Sequence, residues 1–500
     1  MNYTFKEKFF NKNQAIFWVG LLVIMVLRNF YFVWTYFPYL DDHNAYGIFF
    51  NRARNMGNVW ENIIVYYNLL AHRPVVDLLD AYVFQWFWQN MQWLLLFFTL
   101  LHFGLVYIFY DILKKSNINF GITGILVLAL FPGLFEAVYW ISASTRIVLG
   151  MFFVLSSVFF ALKKNIWSFA ILNIISTGFY EQIIVFNLAF TLAILFINKF
   201  NKKIYYVIPI VSTFIIGVHY IFFLDAGRRG GNQLVSFNNL FSHWLSLFMS
   251  IVNTVLFVNM RIIRHGFFRG ISFVNFSIII VIAYIVFLYL YKQNKQKNDD
   301  KINIFKILFG IVFSIIPFLP FFIINSTWLP PRTTFISFFG IAIILDDLLI
   351  SHAKKLVPLL IIPMFFVYVA ELDNFRMIYR DDKILIENFL ALDISSYRNI
   401  IILDSPIISS PVTYPGNHRL ENISSSNWAF QGGVNATSGE QFRTILPVRQ
   451  WNVIPIVENP IFLRIDNDLN IFVLKYIDGM FLKNDVVFGL DYLGMFRRSN

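Results

Sequence analysis

The chain has 500 residues, of which 58% are hydrophobic and only 14% charged, with 60 phenylalanines and no cysteine. So much apolar sequence exceeds what a water-soluble core absorbs, and the lack of cysteine excludes disulfide and thiol chemistry. The formal charge of +11 sits largely in short segments between apolar runs, where it sets topology, which excludes nucleic acid as its natural partner.

Apolar runs able to cross a hydrocarbon layer about 30 Å thick are predicted at 14–36, 90–113, 119–140, 146–162, 166–179, 182–198, 204–224, 272–291, 302–324, 334–350 and 356–370. These make an α-helical polytopic membrane protein of about eleven crossings over residues 1–370. No small-residue cleavage site follows the first run, so it is read as a retained helix with a cytoplasmic N-terminus. The stretch 166–198 has lysines at both ends and is too long for one helix. It reads as two short crossings joined at Gly178 to Gln182, with Tyr180, Glu181 and Gln182 at the tip. The run 240–260 is a twelfth candidate, interrupted by Ser242, His243, Ser246, Ser250, Asn253 and Asn259. Counting it as a crossing puts Lys292, Lys295, Lys297, Lys301, Lys354 and Lys355 outside, against the positive-inside rule, so it is expected in or near the outer interface.

With that choice the lysines before residue 370 face the cytoplasm, from Lys6 to Lys306 and on to Lys354 and Lys355. The outer face keeps arginines instead: Arg52, Arg54, Arg73, Arg146, Arg228, Arg229, Arg261, Arg264, Arg269 and Arg332. Guanidinium binds phosphate through two nitrogens at once, so arginine where lysine is excluded points to anionic ligands. The competing role is anchorage to lipid headgroups. Arg28 is the main charge within a span.

Beyond residue 370 polar residues rise and Pro and Gly punctuate the chain, marking a small α/β or α+β domain over 371–500. A helix is predicted from Phe375 to Leu392, a buried strand from Asn399 to Leu403, and a hairpin joining Ile461–Ile465 to Ile471–Tyr476. An odd number of crossings puts this domain outside.

Directly after the first run comes Phe37-Pro38-Tyr39-Leu40-Asp41-Asp42-His43-Asn44, opening an outer loop over 37–89 that holds Arg52, Arg54, His72, Arg73 and Asp77. Adjacent carboxylates at a bilayer are costly unless solvated, paired or functional, and an aspartate there can take a proton from an attacking hydroxyl. The plainer alternative is a solvated loop start with Asp capping a helix. Helical spacing over 46–56 and 60–70 predicts interfacial helices. A further outer loop over 225–271 carries Arg228 and Arg229.

This plan resembles the GT-C superfamily of membrane glycosyltransferases, which includes protein O-mannosyltransferases, lipid A aminoarabinose transferases and O-antigen glucosyltransferases. The likeness lies in the Asp41-Asp42 pair opening a long first outer loop, the many further helices and the outer C-terminal domain. It implies a transferase that moves a sugar from a polyprenyl-phosphate carrier to a hydroxyl of a cell-envelope glycan, lipid or protein, with inversion. Asp41 or Asp42 would be the base. The resemblance extends to Glu136 in Phe131-Pro132-Gly133-Leu134-Phe135-Glu136, to the tip Tyr180-Glu181-Gln182, to His72-Arg73-Pro74 and to Pro330-Pro331-Arg332. It implies substrate-binding roles for His72, Arg73, Glu136, Tyr180, Glu181 and Arg332, with lesser weight on Arg228 and Arg229. Some members bind a divalent cation and others do not; no metal and no other cofactor is expected here.

The sequence holds no P-loop and no Gly-x-Gly-x-x-Gly, which fits a lipid-linked rather than a nucleotide-linked donor. An O-antigen-type polymerase or ligase is the nearest alternative, and the C-terminal domain argues against it. A lipid-linked sugar transporter or flippase would show internal repeats and midplane charges, whereas the charges here cluster at helix ends. Reporter fusions at Lys297 and at Asn435 are expected to give cytoplasmic and outer signals respectively; a cytoplasmic signal at Asn435 overturns the topology.

Overall fold

Among the described residues the computed structural model is mostly helical, and the regular strands lie after residue 398. The structure describes residues 12–48, 50, 73–223, 235–274, 303–324, 329–348, 357–392, 399–403, 423–425, 427–438, 444–448, 460–465, 469–474, 476–477, 480–483, 486–490 and 496–498. The chain forms two compact units. The first comprises Met1–Thr35, Tyr67–Asp77 and Gln92–Leu372, and the second Tyr36–Tyr66, Leu78–Met91 and Asp373–Asn500.

Among the described residues, Phe84–Lys115, Ile141–Leu162, Phe237–Ile271 and Ile304–Phe322 are long and apolar enough to cross a membrane, and the bent pair Ile122–Leu130 with Pro132–Tyr139 adds a fifth. Gln14–Asn29, Ile166–Thr177, Glu181–Ile197 and Ile204–His219 are shorter apolar helices. The protein is therefore a helical, membrane-embedded chain. The first helix, α1 (Lys12–Asn29), stops well before residue 36, and Phe30 leaves the helix to stack on Trp34 at 4.2 Å. The predicted crossing at 272–291 lies almost wholly outside the described residues.

Following α2 (Pro74–Tyr82) and α3 (Met91–Lys115), the predicted crossing 119–140 is not one helix. It divides into α4 (Ile122–Leu130) and, past a turn at Pro132, α5 (Phe135–Tyr139), bent by 43°. Pro132 has no N–H to give the Leu128 carbonyl, so the break leaves buried acceptors that need donors from elsewhere. His102 of α3 bonds the Leu128 carbonyl through Nε2 at 2.9 Å, and the Arg28 guanidinium bonds the Ala129 carbonyl. A carbonyl can only accept, so Nε2 carries the imidazole proton and Nδ1 is left to accept from Arg28 Nη2 at 3.3 Å. The Tyr368 hydroxyl donates to the Phe131 carbonyl at 3.2 Å, and its ring lies 4.3 Å from the guanidinium.

The other end of α4 is held with the opposite sign. Asp346 accepts from the Gly121 and Gly124 amides at 2.8 and 3.2 Å, and Lys306 Nζ sits 2.7 Å from Asp346 and 3.4 Å from Asp347. An anion at the first turn and a cation at the last both match the helix dipole. Lys306, expected as a topology-setting lysine in a cytoplasmic segment, is instead buried in this ion pair at 2% exposure.

The remaining helices of this unit are α6 (Ile141–Leu162), α7 (Ile166–Thr177), α8 (Glu181–Ile197), α9 (Ile204–Phe223), α10 (Leu240–Val252), α11 (Asn259–Ile271), α12 (Ile304–Ile315) and α13 (Phe338–Leu348). The hairpin read at 166–198 is present, with α7 and α8 meeting at Gly178–Tyr180. A π-turn at Asn253–Val258 joins α10 and α11 into one long helical run. Two of its polar side chains donate to carbonyls: His243 bonds the Phe321 carbonyl at 2.8 Å, and Asn259 donates to the Thr254 and Val255 carbonyls at 3.0 Å. They did not shorten the helix, which reaches 35 residues.

The run is held at several points along its length. Val235 donates to the Ile323 carbonyl, Thr254 to the Leu329 carbonyl, Asn259 lies against Gly133, and Gly266 and Gly270 pack on Val367 and Phe366. Gly133 and Val367 adjoin Pro132 and Tyr368 in the chain, so this run packs beside the break in α4. By length and composition the run qualifies as a crossing helix, unlike the interfacial segment expected from the lysine distribution.

The predicted crossing 356–370 and the separate helix 375–392 are one continuous helix, α14 (Val357–Leu390), with Pro363 inside it. Its second half belongs to the second unit, where Leu385, Ile386 and Phe389 join Ile400, Ile402, Phe430 and Leu463 in an apolar core. The predicted strand at 399–403 is β1 (Asn399–Leu403), central in the sheet β2-β1-β3-β4. It runs parallel to β2 (Thr444–Val448) and β3 (Pro460–Ile465). The predicted hairpin pairs β3 with β4 (Ile471–Leu474), Ile465 facing Ile471. Helix α15 (Asn427–Ser438) covers the core. Strands β5 (Tyr476–Ile477), β6 (Met480–Lys483), β7 (Val486–Leu490) and β8 (Phe496–Arg498) form a second, antiparallel sheet.

Replacing Lys306 by Met leaves two buried carboxylates without their cation, a change that costs about 3–5 kcal/mol for a broken buried pair. The expected outcome is a marked fall in thermal unfolding midpoint in detergent, partly recovered when Asp346→Asn is added; no fall for Lys306→Met refutes the account of α4.

Candidate functional site

The sequence-predicted residues fall in both units, and each group is built by its own neighbours. In the second unit the Asp41-Asp42 pair is shaped by the aromatic segment before it. The ring of Tyr39 meets Phe375 at 5.1 Å and that of Phe37 meets Tyr379 at 5.9 Å, both on α14. Asp42 is fully buried: its carboxylate accepts from the Tyr36 hydroxyl and from the Tyr39 amide at 3.0 Å. Its own amide donates back to the Tyr39 carbonyl at 2.9 Å.

This closed turn forces Leu40 to φ 35°, a left-handed conformation that costs a branched side chain roughly 1–2 kcal/mol. Leu40 is held there because it packs against the Ile400–Phe430 core. Asp41 follows it and is half-buried, so the two carboxylates differ in burial. The predicted helices 46–56 and 60–70 lie mostly outside the described residues; His43–Ile48 forms a π-turn in which Tyr46 donates to Asp80 at 3.1 Å. A Cβ on Gly47 would meet Ala436 at 2.3 Å, so only glycine allows the turn to touch α15.

His43 is buried against the Trp88 ring at 5.6 Å, and neither ring nitrogen has a hydrogen-bond partner among the described residues. Desolvation pushes its pKa down to about 4. Asp382, also buried, is pushed well above the carboxylate range by desolvation, opposed by the Ile423 amide that it accepts.

In the first unit the arginines are paired. Arg73 Nη2 reaches both Glu181 oxygens, at 2.9 and 3.1 Å, and its guanidinium lies 4.5 Å from the Tyr180 ring. The Val75 amide donates to the Gly178 carbonyl, fixing the Arg73-Pro74 turn on the α7–α8 tip. Next to Glu181, Gln182 Nε2 donates to the Thr333 carbonyl at 3.0 Å. Thr333 follows Arg332, which pairs with Glu136 and lies 4.8 Å from the Trp140 ring. Arg73, Tyr180, Glu181, Arg332 and Glu136, read from four separate segments, are thus linked by named contacts.

His72, Arg228 and Arg229 lie outside the described residues. Sequence reading missed Tyr36 as the Asp42 donor and Trp140 beneath Arg332. Tyr36 offered only an aromatic beside the acidic pair, and Trp140 only its spacing of four from Glu136, one helical turn. No group of three or more acidic or histidine side chains able to hold a metal occurs among the described residues. No family model matches the chain, and no curated protein matches it.

The His43 shift has a defined sign. Above pH 6.5 the ring is neutral in folded and unfolded chains alike. As pH falls toward 4 the unfolded chain takes up the proton first, so stability declines through that window. Asp382 acts oppositely, costing stability as pH rises through its elevated pKa. Chemical unfolding followed by tryptophan fluorescence is expected to show the acid limb in the parent and a flatter one in His43→Phe; equal limbs would contradict the buried, neutral assignment.

Proposed function

We propose that the protein is a membrane glycosyltransferase of GT-C type, moving a sugar from a polyprenyl-phosphate carrier to a hydroxyl acceptor at the outer membrane face. The observation that carries the reading is the arginine network of the first unit. Two guanidiniums, each set against an aromatic ring and a carboxylate, are cross-linked through Gln182 and Thr333. Such a cation pair, compensated by carboxylates at rest, suits a ligand whose negative charge grows as the reaction proceeds.

The resemblance assigns the base to the Asp41-Asp42 pair. Asp42 is fully buried on Tyr36 and Tyr39, and the less buried Asp41 is taken as the base. In the step proposed, Asp41 takes the acceptor hydroxyl proton while that oxygen bonds the anomeric carbon from the face opposite the leaving group. The bond from that carbon to the phosphate oxygen breaks, and its electrons leave with the polyprenyl phosphate. Arg73 and Arg332 meet that charge, and no oxidant or reductant is needed. The acceptor belongs to the cell envelope, as glycan, lipid or protein.

Turnover of a polyprenyl-phosphate-linked sugar by the purified protein tests this reading. Asp41→Asn is expected to lower kcat by about 10²–10⁴-fold, the usual contribution of a positioned base. Arg332→Lys should remain impaired because lysine cannot form the two-nitrogen fork. Full activity of both Asp41→Asn and Asp42→Asn would sink the assignment.

A further inference from the structure

Helix α11 carries a basic stripe that the proposed chemistry does not use. Arg261, Arg264, His265 and Arg269 recur at helical spacing on one face, while Ile262, Gly266 and Gly270 are buried on the other. The buried face is fixed: a Cβ on Gly270 would fall 2.0 Å from the Phe366 carbonyl and one on Gly266 would fall 2.7 Å from Val367. The helix cannot roll to hide its cations. Arg264 and His265 are exposed, and Arg264 has no ion-pair partner among the described residues.

The surroundings are those of a lipid-facing surface. Met260, Phe268 and Ile271 of the same helix are 65%, 70% and 48% exposed, and Leu256 and Phe257 just before it are 53% and 51% exposed. An apolar flank beside a row of guanidiniums matches an amphiphile with a hydrocarbon tail and an anionic head. The stripe also begins beside the arginine network. Asn259 lies against Gly133, three residues before Glu136, and Thr254 bonds the Leu329 carbonyl, three residues before Arg332.

We propose that the α11 stripe is a docking site for the phosphate head of a membrane-embedded polyprenyl lipid, holding it at the lipid boundary next to Glu136 and Arg332. The proposal rests on the transferase reading for the identity of the lipid. The contact itself is one of charge and apolar surface, independent of sugar transfer.

The test is binding rather than turnover. Full-length protein in zwitterionic detergent is titrated with polyprenyl monophosphate carrying no sugar, in parallel with phosphatidylglycerol and with inorganic phosphate. Arg264→Gln/Arg269→Gln is expected to weaken the polyprenyl phosphate by about tenfold or more, the scale of losing charge-assisted hydrogen bonds. Asp41→Asn should bind as the parent does. Unchanged affinity in the double variant overturns the site. Equal affinity for phosphatidylglycerol makes the stripe a general anionic-lipid anchor, and competition by inorganic phosphate at similar concentration makes it a free-anion site; either result overturns the commitment to the carrier lipid. Loss of turnover in Asp41→Asn with binding intact separates failure of this site from failure of the catalytic assignment. A melting curve of the double variant that matches the parent confirms that folding is not what changed.

Discussion

A hydrogen-bond donor must be found for every backbone carbonyl that a broken helix leaves inside an apolar bundle, and this requirement organises the first unit. Pro132 removes the amide that Leu128 would have used, and Arg28, His102 and Tyr368, from three different helices, supply the donors at that break. A lone cation in a membrane-spanning segment is ordinarily taken as a functional group. Here its chemistry is explained by the carbonyls it meets and by the negative end of α4. Because the break turns the chain into α5, the same donors also fix the helix that bears Glu136.

The acidic pair follows a different logic. It is set by the second half of α14 and the sheet core, through Tyr39 on Phe375 and Leu40 on the Ile400 cluster, rather than by the end of the first span. Asp42 and the strained Leu40 form one closed turn, and Asp41 inherits its exposure from it. Two adjacent aspartates thus have different environments within one residue, the condition under which neighbouring carboxylates can take different roles.

Much of this was legible in the chain. Hydropathy marked the apolar segments, short apolar runs bounded by polar residues gave β1 and the β3–β4 hairpin, and the lysines flanking 166–198 gave the α7–α8 turn. Pro132 announced a break, yet hydropathy reads through a proline and so returned one crossing at 119–140. Composition also divided α14 where polarity rises at Glu371, although backbone hydrogen bonding continues regardless of which solvent surrounds it. Lys306 was misread because its two carboxylate partners lie forty residues away, beyond any local window. The pairing of Arg73 with Glu181 and of Arg332 with Glu136 was invisible for the same reason: ion pairs between distant segments leave no period in the sequence.

The capping of α4 also bears on how the chain is made. Its carbonyl donors come from α1 and α3, already synthesised when α4 emerges, and from Tyr368, which is not. Its amide acceptor Asp346 and the neutralising Lys306 both arrive near the C-terminal third. During synthesis α4 therefore spends a long interval with one end served and the other bare, in a bilayer that offers neither water nor partner to its first amides. The helix can insert early but reaches its final place only once α12 and α13 have been added, which makes late assembly of the bundle a property of where these charges fall along the chain.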